Sequence, residues 1–521
     1  MNVNQIACVA PAAADPQEEY LGTGHLKEDL EGRSISGGVV TVSAQALKVI
    51  LTLVSTAILA RLLSPAAFGM VAMITTVIGL LSVLKDAGLS MATVQREKIS
   101  HAQVSNLFWL NAMISAVLGL AVVGSAPLIS WLYRTPQLMG LTMALSVTFL
   151  LDGLTVQHMA ILSRQMRFKD VAWVEVGSML FGQAVGIFMA LYGCGAWSLV
   201  GSVVGTSLCG LAMTWGLCRW RPRMWTPRTG TRSLVAFGAS VAAANCLSYL
   251  TRSVDNLLIG RFYGAESVGL YSRAAILLRR PLDQLMGPVG SVVLPMLSRL
   301  QGEPERYRRT FLQIYESIAL IGLPFTSLIL VLARPIVLVL LGPGWESAAH
   351  IVAAFSVATL FTPLAVAAYW LFESQGRGKE LLVTSLILSP LAVASFFAGL
   401  PWGAVGVAIA VSVSGMLIRL PILFHVAGRT GPVSRKDLWA GLARNLVSWV
   451  VVYVSVSLVL RCSGSFPPYV QLLICAPVGL GSAAVLAMCY PRQRRVALRL
   501  WVALQSRFGF LKRFSFGESR P

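Results

Sequence analysis

Residues 252–280 hold a run of charged side chains inside a chain that is otherwise rich in long apolar stretches. The stretch reads RSVDNLLIGRFYGAESVGLYSRAAILLRR, and its charged residues are Arg252, Asp255, Arg261, Glu266, Arg273, Arg279 and Arg280. A charge near the centre of a bilayer costs about 2.5–3.5 kcal/mol on insertion scales. Several charges in one helical hairpin therefore predict a watery cavity, ionic partners or an anionic ligand.

Cations inside predicted membrane spans are the candidates for lining such a cavity. They are Lys48, Arg252, Arg273, Arg280 and Arg419, and Asp255 lies on the same helix face as Arg252. Guanidinium groups bind phosphate oxygens bidentately and stay charged at all physiological pH values. This composition therefore favours an anionic substrate that carries phosphate.

Salt bridges are the alternative interpretation for some of these charges. Arg252 with Asp255, and Arg279 with Asp283, have the spacing of helical ion pairs that fix packing. Arg279 and Arg280 have a third interpretation, in which they extend to the cytoplasmic headgroups. Three further acids, Asp152, Glu175 and Glu316, fall inside spans and are candidates for ion coupling or for pairing.

Composition sets the class of protein. The 521 residues are 56% hydrophobic and only 12% charged, with a mean hydropathy of +0.71, which predicts an all-α multi-spanning membrane protein. The net charge of +20 is explained by basic cytoplasmic loops, so nucleic acid is not expected as a partner. The eight cysteines and five histidines are scattered without metal-ligand spacing, so no metal site is predicted.

The apolar periodicity predicts fourteen spans. They cover 37–60, 66–84, 104–124, 137–160, 172–192, 196–218, 233–258, 265–298, 309–332, 346–372, 380–399, 402–426, 438–460 and 468–489. With the N-terminus inside, the inner segments carry 31 Lys and Arg and the outer turns carry 5. This asymmetry predicts that both termini are cytoplasmic.

An internal repeat predicts two similar halves. Arg61 and Gly69 recur as Arg261 and Gly269, and two later pairs, Pro127 with Pro335 and Gly195 with Gly403, follow in the same order. Similar helix ends would explain any one pair, but three in order favour two six-helix lobes related by a pseudo-two-fold along the membrane normal. The predicted regions are a disordered tail (1–36), the lobes (37–218 and 232–428), spans 13 and 14 (436–490) and a basic tail (491–521).

No catalytic motif stands out, since the chain has no GxSxG, P-loop or GxGxxG after a strand. Several stretches instead resemble a known transporter family. They are ILARLLSPAAFGMVAM (58–73), DAGLSMATVQRE (86–97), AILSRQMRFKD (160–170), VDNLLIGRFYGAESVGLYSRA (254–274), SVVLPMLSRLQ (291–301) and GPGW (342–345). In this combination and order they resemble bacterial polysaccharide transporters, the Wzx-type lipid-linked oligosaccharide flippases of the multidrug, oligosaccharidyl-lipid and polysaccharide (MOP) superfamily.

The resemblance implies a fourteen-helix inner-membrane protein that works by alternating access and is not an enzyme. Its implied substrate is a polyprenyl-diphosphate-linked oligosaccharide carried to the periplasmic leaflet for exopolysaccharide, capsule or O-antigen synthesis. Membrane lipids and a glycan polymerase complex are the implied partners. No cofactor is expected, and proton and sodium coupling both stay open.

Two alternatives accompany this reading. A drug or cation antiporter of the same fold would have an acidic cavity, whereas the spans here are richer in arginine. A membrane glycan polymerase or ligase would carry a sizeable periplasmic loop, and the predicted outer turns are short.

Overall fold

The structure, a computed structural model, describes residues 30–86, 99–226 and 232–489, together with Glu18, Leu21, Ser90, Thr93, Val94, Arg96 and Arg494. Inside these ranges the side chains of 30–36, 83–84, 86, 232–248, 250–252, 280–281, 283–285 and 288 are not described. The predicted tails at 1–36 and 491–521 therefore lie largely outside the described residues.

The described residues form α-helices joined by short turns. The first six helices are α1 (Leu30–Leu62), α2 (Pro65–Asp86), α3 (His101–Tyr133), α4 (Gln137–Arg164), α5 (Phe168–Leu191) and α6 (Ala196–Leu217). Next come α7 (Arg232–Arg299), α8 (Pro304–Val331), α9 (Ala333–Leu340), α10 (Glu346–Ser374) and α11 (Gly378–Gly399). The last four are α12 (Gly403–Ser414), α13 (Leu420–Ala427), α14 (Arg435–Cys462) and α15 (Pro468–Cys489).

Each predicted span corresponds to one of these helices or to a part of one, except span 402–426, which covers both α12 and α13. Eleven helical segments within the described residues are long and apolar enough to cross a membrane. The segment Gly378–Ala427 contains two predicted spans, and α7 contains two more on either side of a break at Gly264. Gly264 has φ 78° and ψ −175°, a conformation that is open to glycine because it lacks a Cβ.

Helix α3 shows how these helices are adapted to lipid. Its exposed face carries large apolar side chains at helical spacing: Trp109, Met113, Val117, Leu120, Leu128 and Trp131. Its buried face combines apolar residues with polar side chains, namely Ser105, Asn106, Asn111 and Ser115, each at most 1% exposed. Placing the polar side chains inside and apolar ones outside suits a hydrocarbon surrounding.

The chain divides into two compact units, Met1–Glu266 and Ser267–Pro521. The first part of α7 belongs to the N-terminal unit, where the Tyr249 hydroxyl donates to the carbonyl oxygens of Thr75 (2.8 Å) and Thr76 (3.3 Å) in α2. One apolar core in this unit surrounds Phe108 and Trp220. One apolar core of the C-terminal unit joins residues of α7, α8, α10, α11, α13 and α14, and includes Tyr307, Phe311, Tyr315 and Phe424.

Two of the repeat anchors fall at equivalent breaks in the two units. Ser64, between α1 and α2, is the non-helical residue that corresponds to Gly264 at the repeat spacing of 200. Gly195 (φ 56°) and Gly403 (φ 70°) both start a helix with positive φ. The third pair differs, because Pro127 lies inside the continuous α3 whereas Pro335 lies in the first turn of the short α9. The predicted lobes and their symmetry axis stay predictions.

Candidate functional site

Two predicted site residues of the N-terminal unit form an ion pair with each other. The ammonium Nζ of Lys48 in α1 donates to Oε2 of Glu175 in α5 at 2.7 Å. The Lys48 side chain is 25% exposed and that of Glu175 is 41% exposed. Local spacing could not reveal this pair, since its members are 127 residues apart in the chain.

A second long-range pair ties α2 to α4. Nζ of Lys85 lies 2.6 Å from Oδ2 of Asp152, and it also lies 5.8 Å from the ring centroid of Phe149, one turn earlier on α4. The sequence had placed Lys85 in a cytoplasmic loop, but the structure extends α2 through this lysine to Asp86. Asp152 is therefore a paired acid in this state of the protein.

The predicted charged residues of α7 are distributed between the two units. Asp255 is 1% exposed in the N-terminal unit, where its Oδ1 accepts from the backbone N–H of Asn256 at 2.8 Å. Arg273 is half-buried in the C-terminal unit. In the same unit the exposed Arg279 lies 5.7 Å from the ring centroid of Phe355. The side chains of Arg252, Arg280 and Asp283 lie outside the described residues.

Arg419 lies at an irregularity that the sequence pattern did not reveal. The predicted span 402–426 is divided into α12 and α13 by a π-helical turn, Gly415–Arg419. The Arg419 guanidinium donates from Nη2 to the carbonyl of Val411 at 2.8 Å, two turns earlier. Its Nε is buried and has no hydrogen-bonding partner among the described residues. Such π-turns often occur at functional positions in helices, which fits the candidacy of Arg419.

Glu316 belongs to a polar interface between α8 and α14. It accepts from Nη2 of Arg444 at 2.6 Å. Two turns earlier on α8, Arg308 binds Asp437 bidentately, at 3.0 Å from Nε and 2.7 Å from Nη2. Asp437 also forms the capping box of α14 with Ser434. These contacts dock α14 on the C-terminal unit, and Glu316 is a paired acid in this structure.

A turn with a shared residue pattern, not among the predicted repeat pairs, occurs once in each unit. Residues 165–170 (QMRFKD) and 375–380 (QGRGKE) share Gln, Arg, Lys and an acid at the same positions, at a spacing of 210. In each copy the residue before Arg has positive φ, 54° at Met166 and 68° at Gly376. The Arg then pairs with the acid three residues on, Arg167 with Asp170 and Arg377 with Glu380. We name these two segments the clasps.

The second clasp also holds the end of α13. Arg377 donates to the carbonyl oxygens of Val426 (3.0 Å), Ala427 (2.9 Å) and Thr430 (2.9 Å), and its side chain is only 10% exposed. These carbonyls belong to or follow the last turn of α13, where backbone oxygens have no partner within the helix. A search for repeats beyond the first anchors could have found the shared QxRxK pattern.

A strap of extended chain follows α6. Residues 218–226 (CRWRPRMWT) run along α3, and three α3 side chains bind the strap backbone. Asn106 binds both the N–H and the carbonyl of Thr226, Trp109 Nε1 donates to the carbonyl of Arg223, and the Ser105 hydroxyl accepts from the N–H of Arg223. The buried Trp220 packs against His158 and Phe108, with ring centroids 5.1 and 6.1 Å away.

The structure brings two predicted site residues, Lys48 and Glu175, into direct contact. The described ion pairs join transmembrane helices by Lys–carboxylate contacts in the N-terminal unit and by Arg–carboxylate contacts in the C-terminal unit. Arg419 has a buried Nε with no hydrogen-bonding partner among the described residues, and Arg273 lies half-buried in the same unit. Arg419 is therefore the described candidate whose geometry best suits an anionic group.

Comparison with known proteins identifies the family to which the sequence is similar. A family model described as "Polysaccharide biosynthesis protein" matches residues 58–350, more than half of the chain. Similar proteins include the lipopolysaccharide biosynthesis protein WzxC of Escherichia coli (strain K12), 26% identical over 61% of this chain. The match covers 65% of WzxC, which is less than two thirds of that relative.

Two further relatives have comparable similarity. The amylovoran biosynthesis protein AmsL of Erwinia amylovora is 27% identical, with 64% of this chain and 87% of AmsL covered. The succinoglycan biosynthesis transport protein ExoT of Rhizobium meliloti (strain 1021) is 26% identical, with 65% and 68% covered.

Solved structures share the fold. A lipid II flippase, MurJ, in an inward closed conformation superposes with a TM-score of 0.64 at 16% identity, covering 87% of this chain and 98% of MurJ. A multidrug resistance MATE family transporter of the MOP superfamily, in an inward-facing conformation, gives 0.55 at 16% identity, covering 76% and 94%. The predicted multi-spanning helical fold is confirmed.

Proposed function

Because the chain belongs to the polysaccharide biosynthesis protein family, we propose that it is a flippase for a lipid-linked oligosaccharide. It would carry a polyprenyl-diphosphate-linked glycan from the cytoplasmic to the periplasmic leaflet of the bacterial inner membrane. The family match, which covers more than half of the chain, is the observation that carries this proposal. The names of WzxC, AmsL and ExoT, all concerned with polysaccharide biosynthesis, support it.

Intramembrane cations supply the chemistry for the diphosphate. A diphosphate carries about two negative charges and loses its hydration when it leaves the headgroup layer. Arg273 and Arg419, with Arg252 and Arg280 as further candidates, would replace that hydration with N–H donors. Binding must stay weak enough for release on the far side, which favours cations spaced along a path over a single tight site.

Alternating access is the transport mode that this fold supports. The glycan would enter between two lobes that open first to the cytoplasm and then to the periplasm. Both termini would lie in the cytoplasm, as the distribution of Lys and Arg predicts. A coupling ion would act on the paired acids Asp152, Glu175 or Glu316, and a glycan polymerase would receive the product.

A cation antiporter is the second candidate, supported by the fold shared with the multidrug transporter. Charge argues against it, because a cationic drug would meet Arg273 and Arg419 inside the membrane. A glycan polymerase or ligase is a third candidate. It lacks support because the described turns on the predicted outer side are short, such as residues 192–195 between α5 and α6.

Proteoliposomes provide the test. The purified protein is reconstituted with a fluorescent polyprenyl-diphosphate oligosaccharide, and an impermeant lectin reports the outward-facing pool. We expect the inner-leaflet pool to become accessible only when the protein is present. A polyprenyl-monophosphate sugar and a cationic dye serve as competing substrates, and efficient transport of the dye alone would contradict the proposal.

Variants link this assay to the cations. Arg273→Ala and Arg419→Ala should each slow flipping about tenfold, because a charged hydrogen bond contributes about 1.5–3 kcal/mol. Arg299→Ala, at an exposed position at the end of the same helix as Arg273, is the matched control and should flip normally. Wild-type rates in both cavity variants would contradict the cationic path while leaving the flippase proposal intact.

A further inference from the structure

A pocket in the N-terminal unit holds a side chain from the N-terminal segment of the chain. Leu21 is only 1% exposed, although it lies in the stretch that the sequence predicts to be a disordered tail. It belongs to the apolar core around Phe108 and Trp220, whose other buried members are Val104, Ile161, Leu162 and Cys218. These residues come from α3, α4 and the strap. Burial removes the Leu21 side chain from water, so Leu21 is suited to anchor the segment here.

The backbone of the same residue is held by a buried arginine. Arg164, the last residue of α4, is 7% exposed, and its Nε donates to the carbonyl oxygen of Leu21 at 3.3 Å. Its Nη1 donates to the carbonyl oxygen of Thr93 at 3.0 Å and also to that of Arg96. A guanidinium group has five N–H donors in a fixed plane. This one therefore joins the N-terminal segment to α4 and to the connection between α2 and α3.

The charges of the segment and of the pocket rim are complementary. Residues 1–29 carry one lysine, Lys27, and five acids, namely Asp15, Glu18, Glu19, Glu28 and Asp29. Exposed arginines adjoin the pocket residues, namely Arg96 beside the Arg164 contact, and Arg219 and Arg221 on either side of Trp220. We name these three residues the arginine rim. Opposite charges attract the two partners and orient them, so the rim favours an acidic segment.

Docking of Leu21 also affects the helix that follows it. Helix α1 begins at Leu30 and packs mainly on α5, and much of its surface is exposed, as at Val42 (70%) and Ile50 (56%). Residues 22–29 connect Leu21 to α1. A docked Leu21 therefore ties the start of α1 to α3 and α4 in addition to α5.

We propose that this pocket is a docking site for the chain's own N-terminal segment. Leu21 is the apolar anchor, Arg164 fixes its backbone, and the acids near Leu21 complement the arginine rim. Anionic lipid headgroups are the other class of occupant that the rim would attract. The chain's own segment is favoured over headgroups, because the buried side chain and the Arg164 contact both belong to Leu21.

A disulfide trap tests the location of Leu21. The native Cys218 lies in the same apolar core, and cysteine is a small apolar residue that preserves the anchor. Full-length Leu21→Cys in lipid is oxidised with copper phenanthroline, and mass spectrometry should identify a disulfide between positions 21 and 218. The matched control is Glu18→Cys, three residues earlier and exposed, which should give a far lower yield of the corresponding product with Cys218. Equal yields from positions 18 and 21 overturn the proposal.

Hydrogen exchange tests docking without a new bond. In the full-length protein, Leu21→Asp places a carboxylate in the apolar pocket, so the amides of residues 18–24 should exchange at least about tenfold faster than in the wild type. Glu18→Ala removes one of five acids and should stay within about twofold of the wild-type rate. Peptides from the α8–α14 interface report intact folding and should be unchanged in both variants. Equal exchange of residues 18–24 in the wild type and Leu21→Asp overturns the proposal.

Salt separates the charge complementarity from the apolar anchor. Raising the ionic strength from about 0.05 M to about 0.5 M screens exposed charges and should speed exchange of residues 18–24 several-fold. Exchange that ignores salt but responds to Leu21→Asp overturns the role of the arginine rim and leaves Leu21 as the anchor.

Lipid composition separates the segment from headgroups as the occupant. Protection of residues 18–24 should be the same in vesicles of phosphatidylcholine and in vesicles that also contain anionic phosphatidylglycerol. Loss of this protection in the anionic vesicles would assign the arginine rim to headgroups, and it overturns the segment as the occupant.

Discussion

Lys48 of α1 and Glu175 of α5 form an ion pair with 2.7 Å between Nζ and Oε2, although both residues lie inside predicted membrane spans. Each member alone would be a costly intramembrane charge, and together they hold α1 against α5. The sequence predicted Lys48 as a cation that lines the cavity and Glu175 as an acid for ion coupling or pairing, and the structure brings the two together.

Neutralising one member of that pair should therefore destabilise the protein more than exchanging the positions of the two charges. Lys48→Gln or Glu175→Gln leaves an uncompensated charge and should destabilise the protein by about 1–2 kcal/mol, less than a fully buried pair because both side chains are partly exposed. The exchange variant, Lys48→Glu with Glu175→Lys, should recover most of the loss. Thermal unfolding in detergent measures this, and an exchange variant no better than the single variants would contradict the pairing.

The α8–α14 interface predicts that removing a charge within it destabilises the protein more than removing an exposed charge outside it. Asp437→Ala removes both the bidentate contact to Arg308 and the capping box of α14, so a loss of about 2–3 kcal/mol is expected. Arg306→Ala removes only an exposed pair with Glu303 and should change stability by less than about 0.5 kcal/mol. Denaturation midpoints compare the two variants. Equal effects would show that the interface does not depend on Asp437.

The clasps predict that glycine is favoured at both positions with positive φ, so introducing a glycine and removing one should have opposite effects on stability. Met166 has φ 54°, a conformation that costs a residue with a Cβ roughly 1 kcal/mol, so Met166→Gly should stabilise the protein by up to about that amount. Gly376→Ala should destabilise it by about 1 kcal/mol, since Gly376 has φ 68°.

Gly378→Ala is the control for the clasp substitutions. Gly378 starts α11 without a positive φ, and no atom lies near a Cβ built there. Its substitution should be neutral within about 0.5 kcal/mol. Thermal unfolding compares all three variants, and a destabilised Met166→Gly would refute the strain at that position.

The strap predicts a change in protease sensitivity. Asn106→Ala removes the two side-chain contacts to the backbone of Thr226. The C-terminal end of the strap should then detach from α3, and trypsin should cleave faster after Arg219 or Arg223. Thr226→Ala keeps those backbone contacts and should be cleaved at the wild-type rate. Mass spectrometry of the fragments measures both. Equal cleavage of the two variants would mean that Asn106 does not hold the strap.

The close approach of Ser115 to Gly153 predicts that one second substitution, at Ser115, restores the stability lost on adding a Cβ at position 153. Gly153→Ala places a Cβ 2.3 Å from Oγ and 2.4 Å from Cβ of Ser115 and should cost about 1–3 kcal/mol. Ser115→Gly should relieve this clash, whereas Ser115→Ala retains the Cβ and should not. Stability of the two double variants is the measurement, and equal stability would contradict the packing of α3 on α4.

Much of the fold could be predicted from the sequence because membrane spans are a local property. A run of apolar residues long enough to cross a bilayer must be helical there, since no water is present to bind its backbone groups. The fourteen predicted spans consequently coincide with described helices. The break at Gly264 falls between the predicted spans 233–258 and 265–298, and Gly195 and Gly403 form one of the predicted repeat pairs.

The arrangement of the candidate site was decided by tertiary structure. Pairing rules read from a sequence reach three or four residues along a helix, whereas Lys48 meets Glu175 across 127 residues and Lys85 meets Asp152 across 67. The π-turn at Arg419 shifts a side chain within an apolar run that reads as continuous helix. The side-chain amide of Asn111 is buried without a hydrogen-bonding partner among the described residues, which likewise depends on how α3 packs against its neighbours. Helices are specified by their own residues, but which charges and polar groups share a low-dielectric interior depends on how those helices pack, and short-range pattern does not encode that.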